Sequence, residues 1–271
     1  MNHRRASNGR LEGKPTTSGR REVMVHGEGA CGDESCRLEI HLSITVPDVV
    51  LVSGFGPFSG VPVNPSWLAV EPLKDTTIAG YDVRVIQVPV IWEEALPMYL
   101  DAYDRLRPSI ALTSGVAAGE SGIRLETTAR NYARGVDVAE QVWHEGKIDA
   151  FGPDAYETAL PVDLLVQTLG EADYPNLVSD NAGDYLCNFL FYGLMKHLAS
   201  EPSDGHVVAG FVHVPSADVV DPRDMTDAWK LMIARLVEYR AEIGVNPRVR
   251  RGADLAPVCC TQSSTSRRGI D

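Results

Sequence analysis

Between Val49 and Ile243, short runs rich in Val, Ile and Leu alternate with stretches whose apolar residues recur every three or four positions. A β-branched run of a few residues suits a buried strand, and three-and-four spacing suits a helix laid against it. Residues 49–52, 81–90, 110–115, 177–179 and 207–214 read as strands, and residues 64–73, 92–106, 161–169, 185–198 and 225–243 as helices. That order predicts an α/β fold: a single domain with a mostly parallel twisted sheet and helices on both faces. In such sheets functional groups collect at the carboxyl ends of the strands.

Local signals agree with this order. Asn64-Pro65 is a helix start, with Asn64 as N-cap and Pro65 in the first turn. Pro108 ends the second helix. Asn181-Ala182-Gly183 breaks the strand before it, and Asp184 is placed as a cap or first-turn acid. Residues 123–131 read as extended, and residues 132–158 are polar and show no clear period.

The ends differ from the body. Six Arg and Lys against two Glu give residues 1–25 a net charge of +4, and five Arg against two Asp give residues 248–271 a net +3. The whole chain carries −12, so the body carries −19. An acidic body speaks against nucleic-acid binding. The expected layout is a disordered extension over 1–46, one folded domain over 47–246 and a disordered tail over 247–271. Alternation over 37–46 leaves room for a short strand there. No apolar run reaches the length of a bilayer span and the first residues hold no apolar signal core, so no membrane partner and a cytoplasmic location are expected.

Four of the five cysteines (Cys31, Cys36, Cys259 and Cys260) lie in these end segments. His26 and His41 flank the Cys31/Cys36 pair, but no second pair follows at matching spacing, so no metal is expected. Cys187 is the only cysteine of the body, just inside an apolar helix. A thiol in a first helical turn meets unpaired N–H groups and the positive dipole end, which favour the thiolate. A buried core cysteine is the plainer alternative.

His213, at the end of an otherwise apolar strand, and Glu126, after the third strand, supply the other two groups a thiol nucleophile needs: a base, and a carboxylate to orient it. Taken singly, His213 could be a core histidine satisfied by a carbonyl and Glu126 a surface acid. Phe55 and Phe58, in a glycine-rich loop without a P-loop lysine, could wall an apolar pocket or simply anchor the loop.

Four motifs in order make the chain resemble the pyroglutamyl peptidase I (pyrrolidone-carboxylate peptidase) family over roughly residues 48–245. They are Gly54-Phe55-Gly56-Pro57-Phe58-Ser59-Gly60 with Asn64-Pro65-Ser66; Ile123-Arg124-Leu125-Glu126 with Ala129 and Asn131; Ser179 to Asn188; and Gly210-Phe211-Val212-His213-Val214-Pro215. The resemblance implies a cysteine peptidase that removes an N-terminal pyroglutamyl residue. Cys187 would be the nucleophile, His213 the base and acid, and Glu126 the orienting carboxylate. It also implies Phe55 and Phe58 around the lactam ring, Arg134 in the place of the family's arginine near the oxyanion, no cofactor, small N-blocked peptides as substrates, and a homo-oligomer, often a tetramer.

The chain departs from the family at Gly56, where the family has Glu, at Ser59, where it has Gly, at Val116, where it has Gln, and over Ala133-Arg134-Gly135-Val136-Asp137. These departures bear on lactam specificity. They keep open a peptidase or amidohydrolase acting on another small N-terminal group, and a non-catalytic binding protein that retains the fold.

Overall fold

The computed structural model describes residues 20–31, 34–45, 48–58, 60–201 and 207–243, the first two segments by backbone alone. Two compact units are present. In the smaller, β1 (Arg20–Cys31) and β2 (Glu34–Thr45) pair antiparallel from Arg20↔Thr45 to Cys31↔Glu34. Of the 1–46 stretch, residues 20–31 and 34–45 are described and form this pair, and residues 37–45 of the alternating run fall in β2. The expected C-terminal tail, Ser59, Cys259 and Cys260 lie outside the described residues.

The larger unit opens with β3 (Val49–Phe55), α1 (Pro65–Val70) and a 3₁₀ turn over Glu71–Leu73. Asn64 caps α1 as expected, its Oδ1 accepting from the Ser66 N–H at 3.0 Å. Next come β4 (Thr77–Ile78), β5 (Tyr81–Val88) and α2 (Trp92–Leu106). Arg107 closes α2 in the left-handed conformation at φ 47°, just ahead of Pro108. Then follow β6 (Ile110–Val116), β7 (Ile123–Glu126), β8 (Thr128–Arg130), β9 (Ala133–Val136), β10 (Val142–Gly146) and β11 (Ala155–Glu157). The chain continues through α3 (Val162–Glu171), β12 (Asn176–Ser179), α4 (Leu186–Ser200), β13 (Val208–Val214) and α5 (Pro222–Glu242).

Seven strands form the central sheet in the order β12-β7-β13-β6-β3-β5-β4. Strands β13, β6, β3 and β5 run parallel, whereas β7 lies antiparallel to β13 and carries β12 parallel to itself. One face packs on α1, α3 and α5 through residues such as Val50, Val52, Leu112, Leu165, Trp229 and Ile233. The other packs on α2 and α4 through Leu51, Tyr99, Phe191, Phe211 and Leu190. This is the mostly parallel sheet with helices on both faces that the hydrophobic pattern predicts.

Two local expectations are corrected. Helix α5 begins at Pro222, three residues before Met225, because Asp221 caps it: its Oδ1 accepts from the Arg223 N–H at 2.8 Å. Asp184 does not cap α4. The N-cap is Tyr185, no side chain bonds there, and Asp184 instead pairs with Arg130 at 3.3 Å and Arg134 at 3.1 Å. The stretch without a clear period supplies β9 and β10, which pair with each other, and β11, which pairs with β8 of the stretch read as extended, both pairs antiparallel and outside the main sheet. Strands that bury little, such as β10, have no apolar alternation to announce them.

Candidate active site

Cys187 is the second residue of α4 and a free, half-buried thiol. The turn before it is built by the residues that mark it in the sequence. Gly183 sits at φ 84°, and its N–H donates to Asn181 Oδ1 at 3.1 Å. With no side-chain cap among the described residues, the first N–H groups of α4 stay open toward whatever approaches the thiol. Asn188, fully buried, fixes the start of this helix. Its Oδ1 accepts from the Arg130 N–H at 2.9 Å, and its Nδ2 donates to the carbonyls of Arg130 at 2.7 Å and Tyr132 at 2.8 Å.

Strand β13 presents His213 on the face covered by α4. Across the antiparallel boundary Glu126 of β7 stands opposite Phe211, and Arg124 opposite His213. Phe211 and His213 share a face, so Glu126 joins them on it. His213 Nδ1 donates to Glu126 Oε1 at 2.7 Å, with the carboxylate fully buried and the imidazole side chain 6% exposed. That bond leaves Nε2 free to face Cys187, whose sulfur acts on the ring electrostatically. On the far side of β13, Gly115 of β6 stands opposite His213. A Cβ there would lie 2.7 Å from Cys187 Sγ and 3.3 Å from His213 Cδ2. The missing side chain is the space in which thiol and imidazole meet.

The electrostatics follow from these contacts. Burial works against a charged His213, but the sulfur of Cys187 and the carboxylate of Glu126 outweigh it and push the imidazole up to about 9. A proton on this imidazole is therefore kept through the neutral range. Glu126 Oε1 also lies 3.3 Å from Arg124 Nε, an ion pair without hydrogen-bond geometry.

The remaining residues singled out from the sequence fall into two groups. Phe55 is 3% exposed in the apolar layer under α2 and α4, and Phe58 is partly buried against that layer. Arg134 lies on β9 with its side chain 57% exposed, paired to Asp184 three residues before the thiol. Its neighbours build a flap over the start of α4. Tyr185 Oη donates to the Val136 carbonyl at 2.9 Å, and Gly135, at φ 133°, gives room to the Tyr185 ring. Asp137 Oδ2 accepts the Trp92 N–H at 2.9 Å, tying the flap to α2. Sequence reading gave no role to Gly115, Asn188, Asp137 or Arg124. A polar residue amid the apolar spacing of α4 was the available signal for Asn188; the others depend on partners far along the chain.

Away from this site, Asp104, His197 and Glu201 bring one ligand atom each within 4.8 Å of one another. They are already engaged: His197 Nε2 lies 3.2 Å from Asp104 Oδ1, and Glu201 pairs with Arg107 and accepts from Tyr103 Oη at 3.0 Å. This arrangement is an ion-pair cluster at the ends of two helices. No helix among the described residues is long and apolar enough to cross a membrane.

A parallel-centred α/β sheet with a thiol, an imidazole and a carboxylate gathered under one helix defines a class: the α/β cysteine hydrolases. The comparisons narrow it. The sequence pattern of pyroglutamyl peptidases matches residues 48–231. Pyrrolidone-carboxylate peptidase 1 of Ralstonia nicotianae is 39% identical over 168 residues, covering 61% of this chain and 77% of that protein. The Bacillus cereus enzyme of the same name is 35% identical over 172 residues, covering 61% and 77%. Among solved structures, pyroglutamyl peptidase I of Bacillus amyloliquefaciens superposes with a TM-score of 0.65 at 31% identity, covering 70% of this chain and 95% of that one. The Thermococcus litoralis pyrrolidone carboxyl peptidase does so with a TM-score of 0.68 at 26% identity, covering 72% and 96%. The chain belongs to the pyroglutamyl peptidase family, a family of cysteine exopeptidases.

Proposed function

We propose that the chain removes an N-terminal 5-oxoprolyl residue from peptides through a Cys187–His213–Glu126 triad. The observation that carries this reading is the buried 2.7 Å bond from His213 Nδ1 to Glu126 Oε1, with the other edge of the imidazole turned to Cys187 across Gly115. The thiolate of Cys187 attacks the carbonyl carbon of the pyroglutamyl residue. The oxyanion that develops meets the open N–H groups at the start of α4. Collapse breaks the C–N bond, and His213 Nε2 gives its proton to the leaving amine. Water, deprotonated by the same nitrogen, then cleaves the thioester and returns the thiol. Glu126 holds the ring in one tautomer throughout and stabilises its charge.

The family match supports the lactam as substrate, with Phe55 and Phe58 as its walls and Arg134 at the rim of the nucleophile turn. Family resemblance also supports a cytoplasmic oligomer, which light scattering on the purified protein tests.

Release of a fluorescent amine from a pyroglutamyl amide is the test, with wild type beside Cys187→Ala and His213→Ala. Turnover in wild type and its loss in both variants is the expected result. A folded wild type without turnover on any pyroglutamyl amide, but active on another N-blocked amide, would move the substrate to a different small N-terminal group.

A further inference from the structure

Arg124 stands two residues before Glu126 on β7, so both side chains leave the same face of the strand. Its guanidinium makes four contacts. Nε lies 3.3 Å from Glu126 Oε1, Nη1 reaches Glu120 Oε1 at 3.1 Å, and Nη2 donates to Ser179 Oγ at 2.6 Å and to the Asn181 carbonyl at 2.8 Å. The last two residues end β12 and open the turn that delivers Cys187. The side chain is 20% exposed.

Glu126 is an unusual anion. It is fully buried, its Oε1 serves both His213 and Arg124, and its Oε2 has no hydrogen-bond partner among the described residues. A buried carboxylate with one bare oxygen is costly without a cation beside it, and Arg124 is that cation.

We propose that Arg124 is a positioning residue of the reaction: its positive charge holds Glu126 toward His213, and its fork ties β7 to the turn that carries the nucleophile. The proposal rests on the assignment of Cys187, His213 and Glu126 as the reacting set. The charged and titratable groups around it are Glu126 on its own strand, His213 on β13, Cys187 on α4 and Glu120 in the loop before β7. Asp184, in the nucleophile turn, is engaged by Arg130 and Arg134. Removing the Arg124 cation raises the proton affinity of every anion in that set. The thiolate–imidazolium pair then needs a higher pH to form.

The test is the pH profile of iodoacetamide alkylation at Cys187, followed by peptide mass mapping so that the other cysteines do not interfere. It requires no substrate. In Arg124→Gln the acid limb moves up by about one pH unit or more. Arg124→Lys returns the limb toward wild type while the maximal rate stays lowered, because an ammonium keeps the charge but not the fork that binds Ser179 and Asn181. A Gln profile that superimposes on wild type would overturn the proposal, whatever happens to the maximal rate, since a merely structural role lowers reactivity equally at all pH values. Should the Gln variant not fold, Glu120→Gln serves: removing this competing anion moves the limb to lower pH, and an unmoved or upward limb refutes the proposal. A wild-type Cys187 that alkylates as an ordinary thiol, only above about pH 8, would overturn the triad and the role of Arg124 together.

Discussion

Gly115→Ala is the sharpest test of the site's geometry, because it adds one methyl group and no charge. The new Cβ would stand 2.7 Å from Cys187 Sγ, 3.0 Å from Phe211 Cζ and 3.3 Å from His213 Cδ2. Non-bonded carbon contacts settle near 3.5–4.0 Å, so the sulfur must retreat by about 1 Å. Phe211 cannot absorb the strain, being fully buried. A displacement of about 1 Å in a reacting group costs on the order of 10²-fold in rate, which is about 2.7 kcal/mol of barrier. Overpacking adds a stability loss of about 1–3 kcal/mol. The assay is kcat/KM on a pyroglutamyl amide together with the alkylation rate of Cys187, each compared with a thermal melt. Gly170→Ala, near the end of α3, is the control: its Cβ would meet nothing within 4 Å, and both rates should hold near wild type. A Gly115→Ala enzyme within a few-fold of wild type would show that thiol and imidazole do not meet over that glycine.

Three further outcomes follow from the same contacts. The wild-type rate should fall on the alkaline side near pH 9, where the imidazolium of His213 is lost, and in Glu126→Gln that limb should move to lower pH because the anion raising it is gone; a limb unmoved by the substitution would refute the pairing. Since the folded-state value lies above the ordinary 6.5, the stabilisation it reflects is complete below that pH and is lost as pH rises through about 9, so urea midpoints at pH 7 should exceed those at pH 10. Asn188→Ala removes three hydrogen bonds and takes from the Arg130 N–H and the Tyr132 carbonyl the side chain that serves them beside the nucleophile, while the Arg130 carbonyl keeps the Tyr132 N–H; it should cost about 3 kcal/mol, seen as a melting point lower by roughly 10 °C; a fall of a degree or two would mean that water replaces the side chain.

Much of the fold was legible because burial is written as periodicity. The strands on both sides of Gly115 and the helices around Tyr99 and Trp229 stand where apolar spacing places them, and Asn64-Pro65 starts its helix as its chemistry predicts. Helix α5 was read three residues late because Met225 opens the apolar spacing while the cap, Asp221-Pro222, precedes it. The flap of β9 and β10 left no such trace: Val136 and Val142 pair on it with 57% and 55% exposure, so alternation has no buried face to record. Asp184 looked like a cap from its position alone, but two arginines more than 45 residues upstream claim it instead.

The sequence by itself determined the layered α/β architecture, the turn that opens α4 and the candidates Cys187, His213 and Glu126, because each rests on local spacing or on residue chemistry. Only the tertiary structure decided that β7 runs antiparallel to β13, which carries Glu126 back to the level of Phe211 and within 2.7 Å of His213. It alone decided that a glycine on β6 makes room for the sulfur, and that Arg124 joins the carboxylate to the nucleophile turn. Strand direction and register are set by contacts between residues far apart in the chain, and no periodicity within one segment encodes them.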